Sequence, residues 1–213
     1  MKHLLYHGSP KGIIGEIAPK SLNTCDFGTG FYTADTDEYA LSNIIENDHS
    51  GSGYFYTLAV DFDKLNVFSF GDDLDLWMLY TAYNREYIQD IDSYPKLKQI
   101  IQELNSYDVI CGLVADDRSA YAFARFLDKA ATHTCLKECI KYFDLGNQYV
   151  FRTPTACSHL QIINEEYITG DRYIQIAHDR RIRIGRSQDI VSEIEVRFRR
   201  DGLYLDELLE EYR

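Results

Sequence analysis

Apolar residues along this chain follow two different spacings. Short segments with apolar or β-branched residues in alternation, or in an uninterrupted run, are typical of strands. Longer segments with apolar residues three or four positions apart are typical of helices. The strands predicted in this way cover residues 3–8, 31–32, 54–62, 65–70, 107–115, 148–153, 159–168 and 192–198, and the predicted helices cover residues 35–47, 72–88, 95–104, 117–130, 133–142 and 203–212.

The order of these elements predicts an α+β fold with a split, mainly antiparallel sheet and flanking helices. Strands and helices are interleaved without the regular βαβ repeat that a parallel sheet would require. Gly28 and Gly30 do not match the dinucleotide-binding fingerprint, because a third glycine is absent and a strand-like aromatic pair follows before any helix. A Rossmann-type sheet is therefore not expected.

The chain length sets the domain organisation. A chain of 213 residues fits one substantial core with a peripheral extension. We predict a domain over residues 1–168 and a C-terminal extension over residues 169–213 that packs on the same domain. Eight arginines lie between residues 172 and 200. Such a stripe suits an acidic protein or a phosphate backbone, or it pairs with the acidic remainder of the chain.

The overall charge narrows the range of partners. A formal net charge of -12 repels polyanions, which disfavours nonspecific binding to nucleic acids and to anionic membranes. No secretory leader pattern and no apolar stretch of membrane-spanning length is apparent in the sequence. We expect a soluble, cytoplasmic protein with no membrane partner.

The five cysteines do not form the framework of a secreted scaffold. Their odd number and scattered positions predict reduced thiols. Cys135 and Cys139 lie one helical turn apart, whereas structural zinc sites usually use tighter CxxC knuckles. We therefore expect buried, inert thiols and no metal.

Three separated segments carry a family resemblance. LYHGS at 5–9, FGTGFYTAD at 27–35 and NQYVFRTPTACSHLQI at 147–162 stand in a fixed order. Together they resemble the signatures of ADP-ribosyltransferases of the diphtheria-toxin and poly(ADP-ribose) polymerase type, and the chain looks most like a small bacterial branch of that superfamily. The resemblance spans about residues 3–165. It implies an ADP-ribosyltransferase-like fold with NAD as co-substrate and no metal.

The first segment implies contacts with NAD. By this resemblance His7 hydrogen-bonds ribose hydroxyls, and Gly8 presents its backbone to the nicotinamide carboxamide at a distance that a Cβ would hinder. Ser9 belongs to the same cofactor-binding group. Breaking the nicotinamide–ribose bond builds positive charge on the sugar, so such a site must hold NAD bent and stabilise a cation.

The second segment implies an aromatic wall. The resemblance makes Tyr32 the ring that stacks on nicotinamide, with Gly28 and Gly30 letting the backbone bend around the cofactor. Relatives often carry a second aromatic residue on the next helix. Tyr39 is the nearest candidate, while Asn43 lies nearer the usual position.

The third segment departs from the family pattern. Gln148 stands where the family has a glutamate, so it can hydrogen-bond a ribose hydroxyl but brings no negative charge. On this basis Gln148→Glu is expected to accelerate release of nicotinamide. Asp116 and Asp117 offer a substitute carboxylate, although both also fit a helix cap and first turn.

The resemblance implies two alternative functions. The first is an NAD-dependent mono-ADP-ribosyltransferase, with a bacterial toxin or effector as the context, a protein or nucleic acid as the unknown acceptor, and an antitoxin or immunity protein as a partner. The second is a noncatalytic module that binds NAD or ADP-ribose, motivated by Gln148.

Each site residue taken alone also has a structural explanation. His7 ends a strand, Tyr32 is one of 17 tyrosines, and Gln148 fits a surface strand. Glu193 and Glu195 superficially resemble the ExE pair of arginine-specific ADP-ribosyltransferases, but the companion motifs of that group are not recognisable. The ordered combination of the three segments is what favours an NAD site.

Overall fold

A computed structural model describes residues 2–46, 51–115 and 117–213. The strands are β1 (Lys2–Ser9), β2 (Phe31–Ala34), β3 (Ser52–Asp61), β4 (Val67–Ser69), β5 (Val109–Leu113), β6 (Asn147–Phe151) and β7 (Leu160–Thr169). The helices are α1 (Asp37–Glu46), α2 (Leu74–Asn84), α3 (Pro95–Leu104), α4 (Asp117–Leu127), α5 (His133–Phe143), α6 (Pro154–Ser158), α7 (Gly170–Phe198) and α8 (Leu205–Glu210). The strands and helices predicted from the sequence are confirmed, apart from the strand at 192–198.

The strands form one seven-stranded sheet in the order β4-β5-β6-β2-β1-β3-β7. Only β4 and β5 run parallel, and the other neighbouring strands are antiparallel. This arrangement confirms the α+β class. The junction between β1 and β2 is the narrowest, with Tyr6 and Ala34 as its one registered pair, whereas β1 and β3 pair along the full length of β1. The two halves of the sheet therefore separate beyond Tyr6.

Local signals in the sequence explain where several helices begin. The Asp73 side chain accepts a hydrogen bond from the backbone N–H of Leu76 at the start of α2, and the Thr132 side chain caps α5 in the same way. Pro95 occupies the first turn of α3, where its fixed φ and lack of an N–H cost nothing.

The largest core cluster packs α2, α3, α4, α5 and the C-terminal helices against the sheet. Trp77 and Phe123 lie at its centre with edge-to-face rings 5.5 Å apart. The opposite face of the sheet carries a smaller cluster around Leu58 and Phe151, covered by α6. A third cluster places α1 and the start of α7 against β3 and β7. The region between the first and third clusters contains the cleft described below.

The strand predicted at residues 192–198 is wrong, because this segment forms the last two turns of α7. Its alternating pattern is short, and the same residues also suit a helix that buries one face. Val191 is fully buried, and Ile194 packs beside it in the main cluster. Leu205 and Leu208 of α8 join the same cluster, so the C-terminal extension contributes to the core.

Over residues 2–46, 51–115 and 117–213, no helix has both the length and the apolar character needed to cross a bilayer.

Candidate functional site

A cleft of about 390 Å³ opens where β1 and β2 separate. Residues distant in sequence line it, contributed by β1, β2, β6, α1, the loop before β2 and the end of α2. These residues are His7, Gly8, Ser9, Pro10, Ser21, Cys25, Asp26, Tyr32, Tyr39, Asn43, Arg85, Ala115 and Gln148. The structure thus brings together six of the residues predicted from the sequence, namely His7, Gly8, Ser9, Tyr32, Tyr39 and Gln148.

His7 lies at the separation of the two strands. Its Nδ1 is 2.7 Å from the carbonyl oxygen of Tyr32, so Nδ1 carries the proton and donates it across the gap. Burial lowers the pKa of His7 to about 4, outweighing the opposing effect of this hydrogen bond. The ring is therefore neutral at physiological pH, and its Nε2 is an unprotonated acceptor suited to a hydroxyl donor.

Tyr32 is fixed by its hydroxyl group as well as by its ring. The hydroxyl donates to the carbonyl of Gly28 at 2.7 Å and accepts from the backbone N–H of Phe27 at 3.0 Å. Burial raises the pKa of Tyr32 far above its usual value, which keeps the phenol protonated. The loop before β2 therefore holds one edge of the ring while the rest of the ring lines the cleft.

Helix α1 forms a second wall. A Cβ placed on Gly8 would overlap the carbonyl oxygen of Ala40, so the glycine permits close contact between β1 and α1. The space in the Cβ direction of Gly8 is thus filled by α1, while the residue still lines the cleft. This approach brings Tyr39 and Asn43, one helical turn apart, into the lining of the cleft.

Gln148 lies at the floor of the cleft and is fully buried. Its Nε2 donates to the Asp26 carboxylate and to the carbonyl oxygen of Leu113, each at 3.1 Å. Both partners can only accept, which fixes the orientation of the carboxamide. Within the described part of the chain, Gln148 Oε1 has no hydrogen-bond partner.

Asp26 and Arg85 form an ion pair in the cleft that was not predicted from the sequence. The Nε and a terminal nitrogen of Arg85 lie 2.8 Å and 2.5 Å from Asp26 Oδ1, while Gln148 donates to Oδ2. The two side chains are only 12% exposed for Asp26 and 26% exposed for Arg85. The Arg85 guanidinium also lies 4.9 Å above the Phe123 ring. The pair is therefore held on several sides.

The sequence signal for this pair is weak. Asp26 immediately precedes the FGTG turn, and an acidic residue there would ordinarily be assigned to turn formation. Arg85 lies 59 positions further on, just after α2. Only the folded chain brings them together, because no local spacing relates a loop residue to the end of a distant helix.

The remaining predicted residues lie elsewhere. Gly28 adopts φ +75°, which favours glycine, and it lines a separate polar pocket of about 660 Å³. A Cβ on Gly30 would overlap Val150, so this glycine lets the loop cross closely over β6. Both glycines shape the loop that carries Asp26 and leads into Tyr32 on β2, but neither lines the cleft. Asp116 lies outside the described residues, as does the side chain of Asp117 at the start of α4.

A second, more apolar chamber of about 270 Å³ lies behind the same strands. His7 and Tyr32 contribute to both cavities, and Ile13 and Ile17 line the far side of the second one. The His7 ring packs 4.4 Å from the Phe31 ring, centre to centre, at this boundary. The imidazole is therefore held by the Tyr32 carbonyl and by the Phe31 ring.

The cysteines of the cleft and of α5 are free thiols. Cys25 lines the cleft, and burial raises the pKa of its thiol. Cys135 and Cys139 are buried on α5, and burial raises the pKa of Cys139 to about 12. Cys139 therefore lacks the lowered pKa that is typical of a reactive thiolate or a metal ligand.

Comparison with known proteins identifies a family. The family model described as "Protein of unknown function (DUF3990)" matches residues 3–162, and the chain therefore belongs to this family. The match spans every segment that lines the cleft and ends within β7, before α7 and α8. No curated protein and no solved structure matches the chain.

Proposed function

We propose that this protein is an NAD-dependent mono-ADP-ribosyltransferase. The observation that carries the proposal is that six residues, assigned to NAD binding from separate segments of sequence, line a single cleft. A chance resemblance would have no reason to converge in space.

The chemistry of the lining supports this reading. The neutral His7 ring offers an acceptor for a ribose hydroxyl, and Tyr32 and Tyr39 offer two aromatic surfaces for a nicotinamide ring. The Asp26–Arg85 pair places opposite charges in the cleft, as NAD carries a cationic pyridinium and an anionic diphosphate. Transfer of one ADP-ribose is favoured over polymer synthesis, because Gln148 provides no carboxylate at the family position.

The setting that we propose is that of a bacterial toxin or effector. The acceptor would be a protein or nucleic acid, and an antitoxin or immunity protein would be the natural regulatory partner. The exposed arginines of α7, Arg181 and Arg186 among them, suit an acidic protein of that kind.

A noncatalytic NAD- or ADP-ribose-binding module is the second candidate. The complete burial of Gln148 favours it, because a ligand would have to displace neighbouring side chains to reach the carboxamide. This candidate retains the cleft and its ligand but lacks bond cleavage.

Nicotinamide release and label transfer distinguish the two candidates. Purified protein would be incubated with NAD labelled in the adenylate portion, alone and with a bacterial lysate. An enzyme should release nicotinamide in proportion to its concentration and label a macromolecule in the lysate. Binding of NAD without either product would support the module, and absence of binding would contradict both candidates.

His7→Asn tests the role of the His7 ring under both candidates. Asparagine retains a donor toward the carbonyl of Tyr32 but removes the acceptor at Nε2. We expect this variant to fold, as judged by circular dichroism, and to lose about five- to tenfold in NAD affinity or turnover, since a lost hydrogen bond typically costs about 1–1.4 kcal/mol. Full retention of both would remove His7 from the site.

A further inference from the structure

We propose that Asp26 is the carboxylate that faces the reacting end of NAD, and that Gln148 is a positioning residue that holds it. This inference rests on the proposed function and assigns within it a catalytic residue on the loop before β2. It departs from an assignment based on residue 148, because the acidic group comes from a different segment of the chain.

Asp26 and Gln148 differ in how far they are buried, which assigns them different roles. Gln148 is fully buried at the floor, whereas the Asp26 side chain retains 12% exposure and lines the cleft. The carboxamide nitrogen of Gln148 points at Asp26 Oδ2, so the floor residue contacts the carboxylate. A ligand in the cleft meets Asp26 before Gln148.

The carboxylate is held in one place by groups on both of its oxygens. Arg85 donates twice to Oδ1, and Gln148 donates once to Oδ2. The backbone carbonyl of Asp26 also accepts from Asn84 Nδ2 at 3.1 Å, which fixes the loop itself. Such pre-organisation lets a charge stabilise a transition state without reorganising at the moment of reaction.

Cleavage of the nicotinamide–ribose bond is favoured by a negative charge beside the reacting ribose. The bond between ribose C1′ and the pyridinium nitrogen breaks, its electron pair passes to nitrogen, and nicotinamide leaves as a neutral molecule. Positive charge moves to C1′ and the ring oxygen. An oxygen or nitrogen of the acceptor then gives a lone pair to C1′ and loses its proton to solvent. Asp26 supplies the negative charge while the cation exists.

The same assignment makes a prediction about binding that does not depend on turnover. NAD⁺ carries a cationic nicotinamide ring, whereas the ring of NADH is neutral. A carboxylate beside that ring should favour NAD⁺, so the wild-type protein should bind NAD⁺ at least about tenfold more tightly than NADH, equivalent to about 1.4 kcal/mol. Asp26→Asn should remove this preference.

Gln148→Glu tests the positioning role. It would set a second carboxylate about 3 Å from Asp26, and two such groups cannot both ionise freely. The variant should therefore show nicotinamide release that rises with pH more steeply than that of wild type, as a shared proton is lost. The sequence predicted faster release for this variant but did not reveal the neighbouring Asp26 carboxylate.

The experiment combines titration calorimetry with nicotinamide release on wild type, Asp26→Asn and Gln148→Glu. Glu195→Gln, on α7, makes the same change in net charge away from the cleft and serves as the control. We expect Asp26→Asn to lose the preference for NAD⁺ and about a hundredfold in release rate, with Glu195→Gln unchanged.

The outcomes separate this inference from the proposed function. Wild type that binds NAD⁺ and NADH equally, or Asp26→Asn that keeps the preference and the rate, overturns the role of Asp26 alone. A pH-independent Gln148→Glu rate would overturn the positioning role of Gln148. Failure of wild type to bind either nucleotide overturns the proposed function and this inference with it. If wild type binds without releasing nicotinamide, the NAD⁺ preference still decides the role of Asp26.

Discussion

The cleft and helix α7 carry charge in opposite ways. In the cleft, one carboxylate and one guanidinium are largely shielded from water and contact each other. The carboxylate also accepts from a buried amide, and a neutral imidazole lines the same cleft. In α7, a larger number of arginines lies mostly at the surface. Arg172 pairs with Glu166, and Arg183 lies 3.6 Å from Glu38.

A high density of charged residues in the sequence is therefore a poor guide to a functional site. Exposed charges are solvated and screened, so their pairs contribute little and tolerate change. A shielded charge persists only where its surroundings compensate it, so its position is strictly determined. The single Asp26–Arg85 pair therefore carries more structural information than the arginine stripe.

The largest expected difference concerns two glycines. Gly8→Ala drives a Cβ into the carbonyl of Ala40 and should destabilise the fold by about 3 kcal/mol, because neither backbone can yield easily. Among the described residues, none lies within 4 Å of a Cβ placed on Gly185 in α7, so Gly185→Ala should stabilise by about 0.5–1 kcal/mol through helix propensity. Urea unfolding measures both changes. Equal effects at the two positions would show that α1 does not pack on β1 as described.

The second-largest expected difference in stability concerns the ion pairs of the two regions. Asp26→Ala leaves Arg85 and the Gln148 amide without their shared acceptor and should cost about 2–3 kcal/mol. Glu195→Ala breaks the more exposed pair with Arg125 and should cost less than about 1 kcal/mol. Urea unfolding of the two variants at low and high salt would check this order. A larger cost at Glu195 would reverse the comparison between cleft and helix.

Protonation of His7 should make the stability of the fold depend on pH. Burial lowers the pKa of His7 to about 4, so between about pH 6.5 and pH 4 the unfolded chain binds a proton that the folded chain does not. His7 should therefore reduce stability by about 1–2 kcal/mol as pH falls from 7 to 5. His7→Asn should show a correspondingly smaller pH dependence.

The smallest effect is expected from the exposed arginines themselves. Arg199 and Arg200 lie at the C-terminal end of α7, beside a pocket separate from the cleft. Replacing both by serine should change stability by no more than about 0.5 kcal/mol and leave NAD affinity unaltered. Calorimetry that finds weakened NAD binding would connect the tail to the site and contradict the separation of the two regions.

The sequence predicted elements with strong local signals. The first strand, the strand after the glycine loop and the helix opened by Pro95 all carry turn residues or periodic apolar positions beside them. The segment at 192–198 was misread because an alternating run of seven residues fits both a strand and one face of a helix. Burial of Val191 against the core decides in favour of the helix.

The candidate site was predictable to the extent that each residue lies in a recognisable segment. His7, Tyr32 and Gln148 fall in the three family-like segments, and all three line the cleft. Asp26 and Arg85 were not predicted, because their significance arises from a contact across 59 positions. Gly8 was assigned to ligand approach, yet its missing Cβ also has a packing reason that becomes visible only when α1 is placed.

Binding of NAD in the cleft is tested most directly by an NMR titration of ¹⁵N-labelled protein with NAD. We expect the largest amide shifts at Gly8, Ser9, Cys25, Tyr39 and Asn43, which line the cleft, while Gly185 and Arg199 in the C-terminal region stay unchanged. Saturable shifts confined to the cleft would support NAD binding at the separation of β1 and β2. Shifts centred on α7, or none at millimolar NAD, would contradict the account.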